Sequence, residues 1–252
     1  MVLSGVGLSF LCLVADEPLS GEGVGYRWKG LSGVESQGNG FRRLESTVTG
    51  IPFTNSLSEA SAESNRILEN GSGVAAGDVD GDGLVDLYFC RLEGANVLYR
   101  NLGDFRFEEA TVSAGVSCEG QASTGAVFAD VDGDRDLDLL VTGVAAGTRC
   151  FLNDSKGRFT ERIDSGLDRD DGSMSMALAD ADQDGDLDLY VANYQNVTWK
   201  DFPPGVKPRV SRVGGKPIAA PRDRFVASLR ADGSTAITEI GQPDAFYLND
   251  GD

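Results

Sequence analysis

The chain has no histidine, and this absence removes several kinds of chemistry at once. Ser-His-Asp and Cys-His catalysis need an imidazole as general base, and His-ligated zinc needs one as a ligand. The four cysteines include no Cys-x-x-Cys pair, so a thiolate metal site is not expected either. The groups left to carry chemistry are mainly oxygens, above all those of carboxylates.

Positive charge is scarce relative to negative charge. The 252 residues include 22 Lys and Arg against 40 Asp and Glu, which gives a net charge of −18 at pH 7. A chain of this sign is not expected to bind nucleic acids or anionic membranes. The hydrophobic fraction of 40% is sufficient for a core, and the length allows one large domain or two small ones.

The apolar start of the chain is too short to span a membrane as a helix. Residues 1–15 (MVLSGVGLSFLCLVA) resemble the hydrophobic part of a secretory signal cleaved after Ala15, although a basic start is missing and Leu13 is poor at the −3 position. Residues 16–40 are rich in Gly and Ser and are predicted to form a flexible leader. We therefore expect an exported protein that is secreted, periplasmic or held at the cell surface.

Acidic residues are concentrated in three nine-residue loops, which contain 14 of the 40 carboxylates. The loops span residues 78–86, 130–138 and 180–188, and are called Asp loops 1, 2 and 3 below. Each has Asp at positions 1, 3, 5 and 9. Their starts are 52 and 50 residues apart, and a motif that returns three times at a nearly constant period indicates a repeat protein.

Carboxylates at this spacing repel one another unless a cation lies between them. Alternate residues turn their side chains inward, Gly83 and Gly185 at position 6 permit a sharp turn, and the carbonyl at position 7 adds an oxygen. Because Ca²⁺ takes six to eight oxygen ligands in flexible loops, the pattern predicts Ca²⁺ as the cofactor.

Short strand patterns surround each Asp loop in the same order. The first Asp of a loop precedes a turn asparagine by 23 residues in two of the units, from Asp78 to Asn101 and from Asp130 to Asn153. Four short antiparallel strands per repeat are typical of a β-propeller blade. The sequence therefore predicts an all-β propeller fragment of about three blades over residues 41–252. The blades are expected near residues 73–116, 125–167 and 175–252.

The third unit is interrupted. Its turn asparagine, Asn249, follows Asp180 by 69 residues, so residues 196–243 are an insertion between the second and third strands. The insertion carries a charge of +4 on an acidic chain and contains valine-rich runs that predict a small β-structure. It is either a partner surface or a loop whose charges pair with the acidic body.

A second expectation concerns the start of the propeller. Residues 41–46 (FRRLES), followed by Gly50, echo the fourth strand and closing Gly115 of the first unit. We hypothesise that residues 41–46 form the strand that closes the propeller ring.

These motifs resemble a known family. The run GVAAGDVDGDGLVDL at 73–87 is similar to FG-GAP (VCBS-type) repeats, as in the integrin α-subunit propeller. The runs at 50–55 (GIPFTN) and 96–103 (NVLYRNLG) look like those of bacterial relatives of cartilage acidic protein 1, which often carry an ASPIC/UnbV domain. The resemblance implies a propeller that is seven-bladed when complete, binds Ca²⁺, lies outside the cell and serves interaction rather than catalysis.

The resemblance also implies the ligands, with side chains at positions 1, 3, 5 and 9 and the carbonyl at position 7. Carried over, they are Asp78, Asp80, Asp82, Leu84 and Asp86 in Asp loop 1, Asp130, Asp132, Asp134, Asp136 and Asp138 in Asp loop 2, and Asp180, Asp182, Asp184, Asp186 and Asp188 in Asp loop 3. One position departs from the pattern, because Arg135 stands at position 6 of Asp loop 2. Positive φ there costs on the order of 1 kcal/mol for a non-glycine residue, so we predict the weakest Ca²⁺ affinity at this loop.

Three alternatives compete with a calcium-binding adhesion module. An EF-hand needs Glu at position 12 and flanking helices, whereas position 12 is Phe89, Val141 or Val191 within strand patterns. A secreted carbohydrate-active enzyme, or an accessory domain of one, could use paired carboxylates, but metal-bound carboxylates make poor general acids and no nucleophile–base pair stands out. A purely structural role for Ca²⁺ stays open. The preferred function is therefore non-catalytic interaction with an extracellular protein or glycan.

The cysteines leave one structural question open. Cys90 and Cys118 form a disulfide if the protein is exported and their positions allow it; otherwise they are buried free thiols.

Overall fold

A computed structural model describes part of the chain in two units. The described residues are 20–23, 26–29, 42–167, 169–201 and 207–251. The units are residues 1–43 and 44–252. The proposed signal sequence at 1–15 lies outside the described residues. None of the helices in the described part has the length and apolar content that a membrane crossing requires.

The first unit contains one element that the sequence did not predict. Strands β1 (Ser20–Gly23) and β2 (Tyr26–Lys29) pair antiparallel within the segment expected to be a flexible leader.

Short helices open the second unit. They are α1 (Ser46–Thr49), α2 (Glu59–Ser64) and a 3₁₀ helix (Arg66–Asn70). The hydroxyl of Ser58 caps α2 by accepting a hydrogen bond from the Ser61 amide at 3.2 Å, which satisfies one of the free N–H groups of the first turn.

Blade 1 is a four-stranded antiparallel sheet in the order β3-β4-β5-β6. Its strands are β3 (Val74–Gly77), β4 (Asp86–Phe89), β5 (Val97–Asn101) and β6 (Phe107–Glu109), and helix α3 (Thr111–Ala114) follows them. Asp loop 1 joins the first two strands, so its last residue, Asp86, is also the first residue of β4.

Blade 2 repeats this plan. Its strands β7 (Ala122–Ala129), β8 (Asp138–Val144), β9 (Thr148–Asn153) and β10 (Phe159–Glu161) form a second four-stranded antiparallel sheet, in which Asp loop 2 joins β7 to β8. Every residue of β8 is buried, because this strand lies at the centre of the three blades.

Blade 3 contains the predicted insertion. Strands β11 (Ser173–Ala179) and β12 (Asp188–Asn193) are followed by the hairpin β13 (Arg209–Val213) and β14 (Lys216–Ala220) and by the hairpin β15 (Phe225–Leu229) and β16 (Thr235–Glu239). Strand β17 (Ala245–Tyr247) then pairs with β12, giving a three-stranded sheet in the order β11-β12-β17. The prediction of β-structure in the insertion is confirmed.

The blades pack face to face through two hydrophobic clusters. Successive residues of β8 point to opposite faces of blade 2, so Leu139 and Val141 join Tyr88 and Leu98 of blade 1, whereas Leu140 joins Leu189 of blade 3. Burial of one such leucine contributes about 1.5–3 kcal/mol. A sheet covered by another sheet on each face is the arrangement of propeller blades, and the predicted all-β propeller-like fold is confirmed.

One sequence expectation is corrected. Residues 42–45 have no regular structure and residues 46–49 are helix α1, so the proposed closing strand is absent over residues 42–46; Phe41 lies outside the described residues. Gly50 and Gly115 are nevertheless structurally equivalent, because each ends a four-residue helix in the left-handed conformation. A Cβ added to Gly50 would lie 2.6 Å from the carbonyl oxygen of Phe107. The sequence similarity between the two segments therefore reflects a helix end that packs on a blade.

The cysteines take one of the two alternatives that the sequence left open. Cys90 and Cys118 are free, buried thiols, so the disulfide left open by the sequence is not formed. Burial raises the pKa of Cys90 to about 12 and also raises the pKa of Cys118. Tyr88 lies beside them, with its hydroxyl 3.4 Å from Sγ of Cys118, and donates to the carbonyl of Val116 at 2.7 Å. The two thiols therefore belong to the core of blade 1.

Candidate metal centre

Hydrogen bonds between carboxylates and backbone amides shape the Asp loops. In Asp loop 1 the two oxygens of Asp78 accept from the amides of Gly81 and Gly83, both at 2.9 Å. In Asp loop 2 Asp130 accepts in the same way from Gly133 at 2.8 Å and from Arg135 at 3.0 Å. The carboxylate at position 1 therefore folds the loop around itself, as the side chain of an Asx turn does.

Positions 3 and 5 continue this pattern in all three loops. The carboxylate at position 3 accepts from the amide at position 5, and that at position 5 accepts from the amide at position 7, as in the 2.8 Å bond from the Leu84 amide to Asp82. Each of these bonds occupies one oxygen and leaves further lone pairs available.

The aspartate at position 9 has a different role, because it is buried and ties three segments together. Asp86, which is 1% exposed, accepts from the amide of Val79 in the loop at 3.0 Å and from the amide of Asn101 at the end of β5 at 2.8 Å. Asp138 and Asp188 make the corresponding pairs of bonds in blades 2 and 3. This aspartate is therefore part of the blade structure as well as a candidate ligand.

Three carboxylates converge in each loop. Within each group one oxygen per residue lies within 4.8 Å of the others. The groups are Asp78, Asp80 and Asp86; Asp130, Asp132 and Asp138; and Asp180, Asp182 and Asp184. The first two groups combine positions 1, 3 and 9, whereas the third combines positions 1, 3 and 5.

Not all the expected ligands fall in these groups. The structure leaves Asp82, Asp134 and Asp188 outside them, and gives no contact for the carbonyls of Leu84, Asp136 and Asp186. The predicted ligand sets therefore remain predictions for these positions, although each lies in its loop beside the group.

The electrostatics of the groups fit a cation. Burial is the main cause that raises the pKa of Asp138 to about 6, and the charges of Asp132 and Asp136 raise it further. Burial likewise raises the pKa of Asp86. Oδ1 of Asp136 is a buried oxygen without a hydrogen-bond donor. Carboxylates that are crowded and partly without donors are the oxygen-only environment that suits Ca²⁺.

A positively charged side chain lies at Asp loop 1. Arg100 on β5 forms an ion pair with Asp80, whose side chain is largely buried. The equivalent residues of the other blades are Leu152 and Leu248, so this guanidinium is particular to blade 1.

Sequence reasoning identified the turn asparagines as turn residues only. Their amide groups also contact the Asp loops: Asn153 of blade 2 donates from Nδ2 to the Val79 carbonyl of Asp loop 1 at 2.8 Å. Asn249 of blade 3 donates in the same way to Val131 of Asp loop 2 at 2.8 Å. The offset of 23 residues shared by Asn101 and Asn153 was the available signal, but nothing in it shows that the side chain reaches another blade.

The geometry defines a class of protein: a β-propeller-type repeat protein with one carboxylate cluster at the same connection of each blade. Comparison with protein families places the repeat within a family. The model of the FG-GAP-like repeat matches residues 78–141 and again residues 130–191. Residues 78–191 are therefore FG-GAP-like repeats, and each match runs from one Asp loop into the strand that follows the next. A search of curated proteins found no match.

Proposed function

We propose that this chain is a calcium-binding propeller module that mediates non-catalytic interaction with an extracellular protein or glycan. The observation that carries the proposal is the recurrence of a three-carboxylate group at the same connection of three blades. FG-GAP-like repeats are generally non-catalytic and often bind Ca²⁺, which supports both parts of the proposal. Export to a compartment rich in Ca²⁺ is part of the same proposal.

Ca²⁺ would supply charge neutralisation and additional bonds within each loop. The residues proposed to hold it are those at positions 1, 3, 5 and 9, with the carbonyl at position 7. Position 9 joins the loop to the third strand of its blade through backbone hydrogen bonds. An ion bound there would consequently stabilise the whole blade, and binding energy would appear as folding energy.

Titration calorimetry and thermal unfolding test the metal sites. We expect Ca²⁺ to bind at three sites and to raise Tm relative to EDTA, with a smaller effect of Mg²⁺ because it requires near-octahedral geometry. The triple variant Asp80→Ala, Asp132→Ala and Asp182→Ala should lose both effects.

A matched control removes the same charge elsewhere. Glu63, Glu108 and Glu119 are exposed and lie outside the Asp loops, so their joint replacement by Ala should leave Ca²⁺ binding nearly unchanged. Equal melting of the native chain in EDTA and in Ca²⁺, without binding heat, would contradict the proposal.

The basic insertion is the proposed partner surface. Hairpin β13–β14 exposes Arg209, Arg212 and Lys216, whereas Arg224 in the second hairpin is paired with Glu239 at 2.8 Å. The cations of the first hairpin are therefore available to an acidic protein or a sulfated glycan. Replacing these three residues by Ser should reduce retention on a sulfated glycan column while leaving Ca²⁺ binding intact. Unchanged retention would contradict the proposal that this hairpin binds the partner.

A further inference from the structure

The turn asparagines link each blade to the Asp loop of the blade before it. Asn153 follows β9 in blade 2, yet its Nδ2 donates to the carbonyl of Val79 at position 2 of Asp loop 1, at 2.8 Å. Asn249 repeats the contact from blade 3 to Val131, at the same position of Asp loop 2, also at 2.8 Å. The recurrence of one bond at two blade junctions shows that it belongs to the repeat.

The backbone of the same asparagines holds the ligand at position 9 of their own loop. The amide of Asn153 donates to Asp138 at 2.9 Å, while the amide of Val79 donates to Asp86 at 3.0 Å. An unbroken path therefore runs from Asp86 through the backbone of Val79, which donates by its N–H and accepts by its C=O, and through Asn153 to Asp138. An equivalent path runs from Asp138 to Asp188 through Val131 and Asn249.

The turn of blade 2 also packs closely on Asp loop 1. A Cβ added to Gly157 would lie 3.5 Å from the Cβ of Asp80, a candidate ligand. A shift of the turn that carries Asn153 would thus be felt at Asp loop 1 by direct contact as well as through the hydrogen bond.

We propose that Asn153 and Asn249 couple the metal sites of neighbouring blades, so that an ion bound at one Asp loop strengthens binding at the next. This inference rests on the proposed function. An ion at Asp loop 1 would fix Asp86 and, through it, the backbone of Val79; the Val79 carbonyl would then hold Asn153, and Asn153 would hold Asp138 in place. Part of the ordering that Asp loop 2 requires has then occurred before its ion arrives, which gives positive coupling.

Repulsion between ions acts in the opposite direction, and salt separates the two effects. Repulsion between solvent-exposed charges more than about 8 Å apart is largely screened at physiological ionic strength, whereas a hydrogen-bonded path within the protein is not. Raising the salt concentration should therefore increase the positive coupling or leave it unchanged.

Asn101 offers a matched control within the chain. Its side chain makes two of the bonds inside blade 1 that Asn153 makes inside blade 2: Nδ2 donates to the carbonyl at position 8 of the loop, and Oδ1 accepts from a glycine amide in the turn that follows. Oδ1 of Asn153 also accepts from the amide of Asp154 at 2.9 Å. Among the described residues, Asn101 makes no bond to the loop of another blade. Asn101→Ala and Asn153→Ala therefore lose these two local bonds in common, and Asn153→Ala also loses the bond from the Asp154 amide and the link to Val79.

The coupling can be read site by site with NMR. Gly81 and Gly133 stand at position 4 of Asp loops 1 and 2, and their amides bond to the first aspartate of the loop, so each reports Ca²⁺ at its own site. Asp80→Ala disables the first site and Asp132→Ala the second. Coupling between two sites is reciprocal. It is therefore measured at the site that fills second in the native chain, whose Ca²⁺ affinity should fall when the other site is disabled.

We expect disabling one loop to weaken the remaining site about three- to tenfold, which corresponds to one hydrogen bond. In the Asn153→Ala background that effect should disappear, and in the Asn101→Ala background it should persist. Independent sites in the native chain, or equal coupling in both asparagine variants, would overturn the inference while leaving Ca²⁺ binding in place. Amide signals that do not respond to Ca²⁺ at all would instead refute the proposed function on which it rests.

Discussion

Replacing Asp86 by Asn should destabilise the protein even when no metal is available. Asp86 is 1% exposed, and its two oxygens accept from the amides of Val79 and Asn101. An asparagine keeps one acceptor but directs an NH₂ group at the second amide, so one hydrogen bond to a charged group is lost and two donors face each other. That loss costs about 1.5–3 kcal/mol.

A second effect reduces this cost. Asp78 and Asp82 repel the charge of Asp86, and burial raises its pKa, so neutralising it removes an unfavourable interaction. The relief is smaller than the hydrogen-bond loss because both neighbours are partly solvated, which leaves a net cost of about 1–2 kcal/mol. For a unit of this size that corresponds to a fall in Tm of roughly 2–8 °C.

Asp82→Asn is the matched variant. Asp82 lies in the same loop, and its replacement by Asn removes the same charge. Asp82 is exposed, however, and its carboxylate accepts only the local hydrogen bond from the amide of Leu84. We expect it to leave Tm in EDTA nearly unchanged and to reduce only the rise produced by Ca²⁺. Differential scanning calorimetry of both variants, in EDTA and in Ca²⁺, makes the comparison. Equal melting of the two variants in EDTA would refute the structural role assigned to position 9.

Three further predictions concern other parts of the molecule. Arg135 has φ of 78°, so Arg135→Gly should relieve strain of about 1 kcal/mol, remove a positive charge and strengthen Ca²⁺ binding at Asp loop 2 severalfold; calorimetry showing weaker binding would contradict this. Leu98 is fully buried between blades 1 and 2, whereas Phe246 at the equivalent position of blade 3 is 54% exposed. Urea unfolding should therefore show a loss of about 2–5 kcal/mol for Leu98→Ala and much less for Phe246→Ala, and equal losses would argue against face-to-face blade packing. Burial raises the pKa of Cys90 to about 12 and also that of Cys118, so a thiol reagent at mildly alkaline pH should label both only after unfolding. Rapid labelling of the native protein would contradict their burial.

The features that could be predicted from the sequence are those set by local spacing. The Asp loops could be located because their ligand pattern is fixed by alternate side chains, and the strands because short apolar runs flank the loops. Strand β4 begins at Asp86 because this residue pairs with Gly77 of β3, and its carboxylate also accepts the amide of Asn101 at the end of β5. The contact with Asn101 joins residues 15 positions apart, and the local pattern contains no information about it.

The error at residues 41–46 has a related cause. A strand needs a partner strand, and the described residues supply none beside 42–46, whereas a helical turn satisfies its own backbone. The amide of Gly50 bonds to the carbonyl of Ser46 at 2.8 Å within α1, as Gly115 does with Thr111 in α3 at 3.0 Å. The sequence similarity to the end of blade 1 was therefore correct for the helix end and wrong for the strand.

Asp loop 3 differs from the other two loops in its contact at position 2. Asp loops 1 and 2 each receive an asparagine amide at position 2, and both bring positions 1, 3 and 9 together. Within the described part of the chain no asparagine donates to Ala181 at position 2 of Asp loop 3, and there the converging carboxylates are the exposed ones at positions 1, 3 and 5. Asp188 at position 9 keeps its two backbone bonds, which hold its pKa below the usual value. Among the described residues, the loop that receives no such asparagine bond is thus the one whose buried aspartate stands apart from the group, as expected if this asparagine helps to position the ligands of the loop that it contacts.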